Sequence, residues 1–294
     1  MTKRCFYLQF VTPKKYVLNG LWYGGDKPER AIVFVHGLGS SAFAHHDYFV
    51  PLAGPRTAVI FFGNRGHDLV SRIRRESSRT TRQRPSLLGG AAHEVFADCV
   101  DDIQGVVNTL RRKRVKSVYL VGHSTGCQKS VCYLASRQNA RIVRGAVLLC
   151  PVSDYASVRK MTDLNRLRRA QGIARKLVRE GKPHSYLPAT IWPELMDAQR
   201  FVSLYTPDGT EELFSYAQPG KVPRALRKIR VPLHVVLAEK DEYHDRSTKE
   251  IAEWFSANLR SARRSVSVVR GAGHGFHGYE DRVVDEIRRW LLGV

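Results

Sequence analysis

The sequence has no apolar run that approaches the length of a membrane-spanning helix, which needs ~20 residues. Its longest apolar runs, residues 31–35 and 146–150, have the length of a β-strand. The N-terminal stretch is basic, but it lacks the apolar core of ~7–15 residues and the small residues of a secretory signal. We therefore expect no membrane span and a cytoplasmic protein.

Cysteine is also scarce, and its positions show no paired spacing. The five cysteines are Cys5, Cys99, Cys127, Cys132 and Cys150. A disulfide framework or a zinc site would need paired cysteines, so we predict reduced thiols and no metal. No G-x-G-x-x-G follows a predicted strand and no Walker sequence is present, so we expect no nucleotide or other cofactor.

Acidic residues are few. The chain has 27 of them against 48 lysines and arginines, which gives a net charge of +21. Seven arginines fall in residues 63–91, which we interpret as a long loop: Arg65, Arg72, Arg74, Arg75, Arg79, Arg82 and Arg84. This balance favours an anionic small-molecule substrate, with a solvated basic surface as the plainer alternative. We expect no nucleic-acid partner.

Strand and helix patterns alternate along the chain. Short, continuous apolar runs, typical of strands buried on both faces, occupy residues 31–35, 57–62, 118–121, 146–150, 233–238 and 266–270. Helical patterns occupy residues 43–52, 94–112, 126–137, 249–259 and 282–292, and an antiparallel pair is predicted at 6–11 and 16–22. The alternation predicts an α/β protein with a doubly wound, mostly parallel sheet.

One stretch interrupts this alternation. Residues 153–230 contain no buried-strand pattern, but they hold helical material, prolines and many aromatic residues. We interpret them as a helical cap inserted into a core formed by residues 1–152 and 231–294. The cap is expected to cover the functional site, because it follows the fourth parallel strand. Trp192 and Phe201 are its candidate substrate contacts.

The segment Gly122-His123-Ser124-Thr125-Gly126 is a G-x-S-x-G motif. It follows the predicted strand 118–121 and opens a helix, which is the context that a nucleophile elbow requires. The glycines let strand and helix approach closely, and the hydroxyl projects at a helix N-terminus. Ser124 is therefore the candidate nucleophile, whereas an incidental serine in a glycine-rich turn is the plain alternative.

A serine nucleophile needs a base and an orienting carboxylate. His274, in a glycine-rich turn after the last predicted strand, is the candidate base, and His277 is its competitor. Asp241 follows the strand at 233–238 and is the candidate acid. Its rivals are Glu239, Glu242, Asp245 and Asp154. The order Ser124, Asp241, His274 is the chain order of α/β-hydrolases.

A tetrahedral oxyanion needs two hydrogen-bond donors. The backbone N–H of Thr125 follows the nucleophile, and that of Leu38 lies in the loop after the strand at 31–35. We expect these two groups to form an oxyanion hole. His36 is expected to order this loop rather than to catalyse.

Other polar clusters carry weaker signals. His45, His46 and Asp47 are adjacent, so their side chains diverge and do not predict a metal site. Asp98, Asp101 and the neighbouring Asp102 are expected to form a solvated helix face.

Several stretches resemble one family. They are residues 122–128, with Cys127-Gln128 extending the elbow, and residues 151–154, 200–204, 240–243 and 271–274. The chain resembles the α/β-hydrolase family once labelled only as a domain of unknown function, whose characterised type is a fungal siderophore esterase that opens fusarinine C. The resemblance implies a serine esterase with the triad Ser124, Asp241 and His274. It also implies that Asp154 is not the triad acid.

The sequence therefore predicts an enzyme that hydrolyses a carboxylic ester through an acyl-enzyme. The same triad would also cleave an amide or a thioester, and the residues do not separate these reactions. A non-catalytic anion-binding protein on a hydrolase scaffold is the alternative from another class, but a binder has no need of all three catalytic groups.

Overall fold

The computed structural model describes residues 4–76, 86–136 and 141–294. Its strands are β1 (Cys5–Val11), β2 (Val17–Tyr23), β3 (Arg30–Val35), β4 (Thr57–Phe62), β5 (Ser71–Arg74), β6 (Ser86–Gly89), β7 (Ser117–His123), β8 (Val143–Leu149), β9 (Leu233–Ala238) and β10 (Arg264–Val269). Eight strands form one sheet in the order β1-β2-β4-β3-β7-β8-β9-β10. Seven of them run in the same direction, and β2 runs in the opposite direction. The predicted mostly parallel sheet is confirmed.

Helices cover both faces of the sheet. They are α1 (His46–Phe49), α2 (Cys99–Arg112), α3 (Thr125–Ser136), α4 (Asp154–Met161), α5 (Leu164–Arg179), α6 (Ala198–Tyr205), α7 (Arg224–Lys228), α8 (Thr248–Asn258) and α9 (Glu280–Leu292). Two short 3-10 turns lie at Val50–Leu52 and Phe96–Asp98. None of the described helices is both long and apolar enough to cross a membrane.

The strands are apolar without a break because both of their faces are buried. Along β3, Val33 and Val35 pack into the cluster that contains residues of α2, α3 and α8. Ile32 and Phe34 point the other way, into the cluster that contains residues of α1 and α9. This alternation follows from the two-residue period of a strand, and it produces a core on each side of the sheet.

The stretch between β8 and β9 has two parts. Helices α4 to α6 share a small apolar cluster of their own, which includes Leu167, Trp192 and Phe201. From Phe214 onward the chain packs into the main core, where the Phe214 ring lies 5.3 Å from that of Phe255. That residues 153–230 form one cap stays a prediction. Only the residues before Phe214 form an apolar cluster separate from the main core.

One expectation, that the 63–91 segment is a long loop, was wrong. The segment is not a continuous loop, because β5 and β6 pair as an antiparallel hairpin. These strands are short and mostly exposed, so they lack the apolar run that marks a buried strand. Of the arginines named there, Arg79, Arg82 and Arg84 lie outside the described residues.

The second correction concerns the acidic face of α2. Asp101 and Asp102 are buried rather than solvated, because they bind the buried guanidinium of Arg65. Arg65 Nε lies 2.6 Å from Asp102 Oδ1, and one Nη lies 3.0 Å from Asp101 Oδ2. The backbone N–H of Arg65 also donates to Asp102. These ion pairs fix the loop after β4 against α2.

Candidate active site

Ser124 occupies a strained turn between a strand and a helix. Strand β7 ends at His123 and α3 begins at Thr125, which leaves Ser124 between them with a φ of 55°. A non-glycine residue rarely adopts this left-handed conformation, and such strain is typical of functional positions. Two backbone hydrogen bonds hold the turn. The N–H of Ser124 donates to the carbonyl oxygen of Leu149, and the N–H of Cys127 donates to the carbonyl oxygen of Ser124.

The two glycines of the motif are required by close contacts. A Cβ at Gly126 would lie 1.9 Å from the carbonyl oxygen of Val35 on β3. A Cβ at Gly122 would lie 2.5 Å from the carbonyl oxygen of Gly126. Only glycine lets α3 start this close to the sheet, which is the physical reason for the spacing of the motif.

The loop after β3 passes directly beside the serine. A Cβ at Gly37 would lie 3.0 Å from Ser124 Cβ, so the backbone at this point runs next to the hydroxyl group. Leu38 follows and borders the same cavity as Ser124, while Thr125 is fully buried at the start of α3. The loop that carries Leu38 and the start of α3 at Thr125 both adjoin Ser124, and the N-terminus of α3 favours negative charge there.

His36 anchors this loop from beneath. Its Nδ1 is 2.9 Å from the carbonyl oxygen of Gly37, and its Nε2 accepts a hydrogen bond from the N–H of Asn64, after β4. Burial lowers the pKa of His36 to about 3, so the ring is neutral. The contacts agree with the loop-ordering role that the sequence suggests.

His274 and Asp241 form a buried hydrogen-bonded pair. Asp241 follows β9 and His274 follows β10, and these strands are parallel neighbours, so both side chains reach the same edge of the sheet. His274 Nδ1 lies 2.8 Å from Asp241 Oδ2. Burial alone would raise the pKa of Asp241, but the hydrogen bond and the charge of His274 outweigh it, and the pKa is lowered.

Three further residues support His274, and sequence reasoning did not assign them this role. Glu242 accepts the backbone N–H of His274 at 3.0 Å, and His123 Nε2 lies 2.9 Å from the carbonyl oxygen of His274. The ring of Tyr243 packs against that of His274 with centroids 4.6 Å apart. Glu242 and Tyr243 directly follow Asp241, and His123 precedes Ser124, so adjacency to the motifs was the available signal.

Of the rival residues, Glu242 binds only the backbone of His274, and three others make contacts elsewhere. His277 Nδ1 is 3.3 Å from the Tyr48 hydroxyl rather than beside Asp241. Glu239 accepts the N–H of Gly271, and Asp245 pairs with Arg246. These contacts account for the positions of the three side chains, and none of them is a contact with His274 or Asp241.

A cavity of about 560 Å³ connects the named groups. Ser124 and His274 both border it, together with Leu38, Trp192 and Tyr243. Phe201 does not border it: the side chain is fully buried and packs edge-on against Trp192, with ring centroids 5.0 Å apart. The structure therefore brings Trp192 to the cavity and places Phe201 behind it.

Asp154, the remaining rival, also borders the cavity but makes different contacts. Its Oδ2 accepts a hydrogen bond from the side-chain amide of Gln128 at 2.8 Å. Burial, followed by the nearby carboxyl of Glu211, raises the pKa of Asp154 well above its ordinary value. Asp154 is thus a carboxyl group of the cavity wall, apart from the pair formed by His274 and Asp241.

Within residues 4–76, 86–136 and 141–294, two groups of side chains have donor atoms close enough to hold a metal ion. One consists of Cys150 with Asp241 and His274, and the other of His93, His184 and Asp197. In the second group both histidines place Nδ1 on Asp197 Oδ2, at 3.1 and 2.9 Å. These hydrogen bonds already join the loop before α2 to the start of α6 without a metal.

The sequence profile of a family described as proteins of unknown function (DUF1749) matches residues 24–292. The chain belongs to this family. The match covers most of the chain and confirms the resemblance inferred from the elbow and the stretches around Asp154, Asp241 and His274. No curated protein matches the sequence significantly.

Solved structures share the fold. Siderophore hydrolase EstB from Aspergillus fumigatus is 16% identical with a TM-score of 0.69, and the match covers 99% of this chain and 98% of that one. Est1E from Butyrivibrio proteoclasticus, solved with ferulic acid, is 15% identical with a TM-score of 0.62 over 97% and 98% of the two chains. Carboxylesterase CesB from Bacillus subtilis is 17% identical with a TM-score of 0.56 over 100% and 93%. At these identities the likeness establishes the α/β-hydrolase fold.

Proposed function

We propose that this protein is a serine hydrolase that cleaves a carboxylic ester through an acyl-enzyme. The observation that carries the proposal is the placement of two elements on one cavity: a serine on a strained strand-to-helix turn, and a histidine bonded to a buried carboxylate. The names of two of the similar structures, a carboxylesterase and a siderophore hydrolase, agree with ester hydrolysis.

The reaction follows from the roles of the side chains. Ser124 Oγ attacks the acyl carbon while His274 Nε2 takes the hydroxyl proton, and Asp241 holds the imidazole and stabilises its charged form. The backbone N–H groups of Leu38 and Thr125 bind the oxyanion. When the tetrahedral intermediate collapses, His274 returns the proton to the leaving alcohol. A water molecule, deprotonated by His274, then attacks the acyl-enzyme, and His274 returns this proton to Ser124 Oγ as the acid is released. No step requires a cofactor.

Amide and thioester hydrolysis remain the alternatives within this mechanism, because the same groups serve all three acyl bonds. Esters, anilides and thioesters with the same acyl group, assayed side by side, separate them. An anion-binding protein without catalysis is disfavoured, because the strain at Ser124 would then serve no purpose.

The deciding experiment is labelling with a fluorophosphonate probe. We expect modification of wild type at Ser124 and none of Ser124→Ala, with ester turnover falling by ~10⁴–10⁶-fold. The matched control is Ser157→Ala, because Ser157 borders the same cavity and has no assigned role. Ser157→Ala should keep its labelling. Labelling that survives Ser124→Ala in a folded variant would reject the proposal.

The substrate is proposed to be a small-molecule ester, bound in the cavity that residues of α4 and α6 border. An anionic ester is the class that the arginines of the 63–91 segment suggest. Arg65 is buried in ion pairs, and Arg72 and Arg74 lie on the β5–β6 hairpin, so their effect on the cavity would act at a distance. A cytoplasmic location is proposed because all five cysteines are free thiols.

A further inference from the structure

The ionisable residues of the cavity wall differ from those of the basic chain as a whole. Although the protein carries a net charge of +21, the described residues that border the cavity include two acids, Asp154 and Glu194, and neither lysine nor arginine. Histidines also border it, but burial lowers the pKa of His45 to about 4 and that of His123 well below its ordinary value. These two rings are neutral. Burial also raises the pKa of Asp154, so the ionised form of this carboxyl is the one that a bound cation would stabilise.

Asp154 has no cation against it among the described residues. Its hydrogen-bond donor is the neutral amide of Gln128. The charge of Arg200 acts on Asp154, but its guanidinium is bound to Glu94 and Glu211. A partly buried carboxyl that faces a cavity in this way gains stability when a cation enters, because burial makes an unpaired charge costly.

Glu194 and the aromatic rings complete the surroundings. Glu194 is an exposed residue at the cavity border, in the segment between α5 and α6. Trp192, Tyr205 and Tyr243 border the cavity too. Carboxylates combined with aromatic faces are the groups that bind ammonium ions well, through charge-assisted hydrogen bonds and cation–π contacts.

We propose that the cavity contains a subsite for a positively charged group of the ester, such as an ammonium, formed by Asp154 and Glu194. The inference rests on the proposed function, because it assigns a feature of the substrate of that same site. Asp154 binds the cation at depth, and Glu194 binds it closer to solvent.

The test compares three p-nitrophenyl esters whose acyl chains have equal length and end in an ammonium, a hydroxyl or a carboxylate group. We expect kcat/KM to be roughly 10-fold or more higher for the ammonium ester than for the hydroxyl ester, as for a hydrogen bond to a charged group. Asp154→Asn should remove most of this ratio and Glu194→Gln part of it. Glu253→Gln, which alters an exposed acid of α8, is the control and should leave the ratio unchanged.

The outcomes separate the two proposals. Equal kcat/KM for the ammonium and hydroxyl esters would overturn the cation subsite while leaving the esterase intact, and a preference for the carboxylate ester would establish the anionic class instead. No turnover of any ester, with no labelling of Ser124, would reject the esterase itself.

A second measurement covers the case in which Asp154→Asn does not fold. Hexylammonium should slow fluorophosphonate labelling of the wild type at concentrations at which hexanol has no effect. Equal protection by the two compounds would contradict the subsite.

Discussion

At the scale of single residues, Asp241 lies between two histidines. Its Oδ2 is 2.8 Å from His274 Nδ1 and 3.5 Å from His244 Nε2. Burial lowers the pKa of His244, so that ring is neutral near pH 7. Asp241 can therefore stabilise the positive charge that forms on His274 during the reaction.

Replacing Asp241 with Asn tests this role. The amide keeps the shape of the side chain but favours the wrong tautomer of His274, so we expect kcat to fall by up to ~10⁴-fold. Asp154→Asn serves as the comparison, and its loss of kcat on the hydroxyl ester should be far smaller. Steady-state kinetics of the two variants measure these losses of kcat. A larger loss in Asp154→Asn than in Asp241→Asn would make Asp154 the triad acid.

At the scale of elements, the junction of β7 and α3 depends on the absence of a side chain at Gly126. Gly126→Ala would force a methyl group into the carbonyl oxygen of Val35, 1.9 Å away, so we expect strong destabilisation or no folded protein. Gly172→Ala is the matched change, because Gly172 lies in α5 with nothing within 4 Å of an added Cβ. That variant should be more stable by ~0.5–1 kcal/mol. Thermal melts of both compare the effects, and a well-folded, fully stable Gly126→Ala would contradict this account.

A second prediction at this scale concerns Trp192, in the segment between α5 and α6. Trp192 borders the cavity, and its indole Nε1 is buried without a hydrogen-bond partner among the described groups. Trp192→Ala should shift the preferred acyl-chain length, because it enlarges the cavity. Phe201→Ala should cost ~3–5 kcal/mol of stability. A series of p-nitrophenyl esters measures the preference. An unchanged preference in Trp192→Ala, with reduced stability alone, would make the residue a packing group.

How far the sequence predicts these elements depends on how local the causes are. The strands and the turn at Ser124 are recognisable because apolar runs and the glycine spacing act within a few residues. The β5–β6 hairpin was missed because it lies on the surface and has no apolar run. The burial of Arg65 was missed for another reason: its partner Asp102 is 37 positions away, and no local pattern records such a pairing.

At the scale of the whole molecule, buried charges join parts of the chain that are far apart in sequence. Lys129 on α3 lies 2.7 Å from a carboxylate oxygen of Glu94, and Arg200 on α6 contacts both Glu94 and Glu211. The network therefore ties α3 of the core to α6, in the stretch between β8 and β9. Removing one member would leave an uncompensated buried charge, which typically costs ~3–5 kcal/mol. Sequence reasoning assigned no role to these residues, since composition alone does not distinguish a buried charge from a solvated one.

The last prediction concerns the net charge of +21. The field of the whole molecule repels a cationic substrate, whereas the proposed subsite in the cavity wall attracts one. At low salt the field repels a cationic ester and attracts an anionic one, and added salt screens it to within ~8–10 Å. We expect kcat/KM to rise with salt for the ammonium ester, to fall for the carboxylate ester and to stay level for the hydroxyl ester.

The charge variants locate the source of this field. We expect the salt dependence of kcat/KM to weaken for both the ammonium and the carboxylate ester when three arginines on or next to β5 are replaced with Gln. These arginines are Arg72, Arg74 and Arg75. The control removes the same charge from the exposed end of α2 and the turn after it, at the opposite end of the parallel strands: Arg111, Lys113 and Arg114. Equal weakening by the two triple variants would assign the effect to net charge rather than to the hairpin. Parallel salt curves for all three esters in the wild type would mean that the field does not reach the cavity, and the arginines would then be a charged surface without a part in substrate selection.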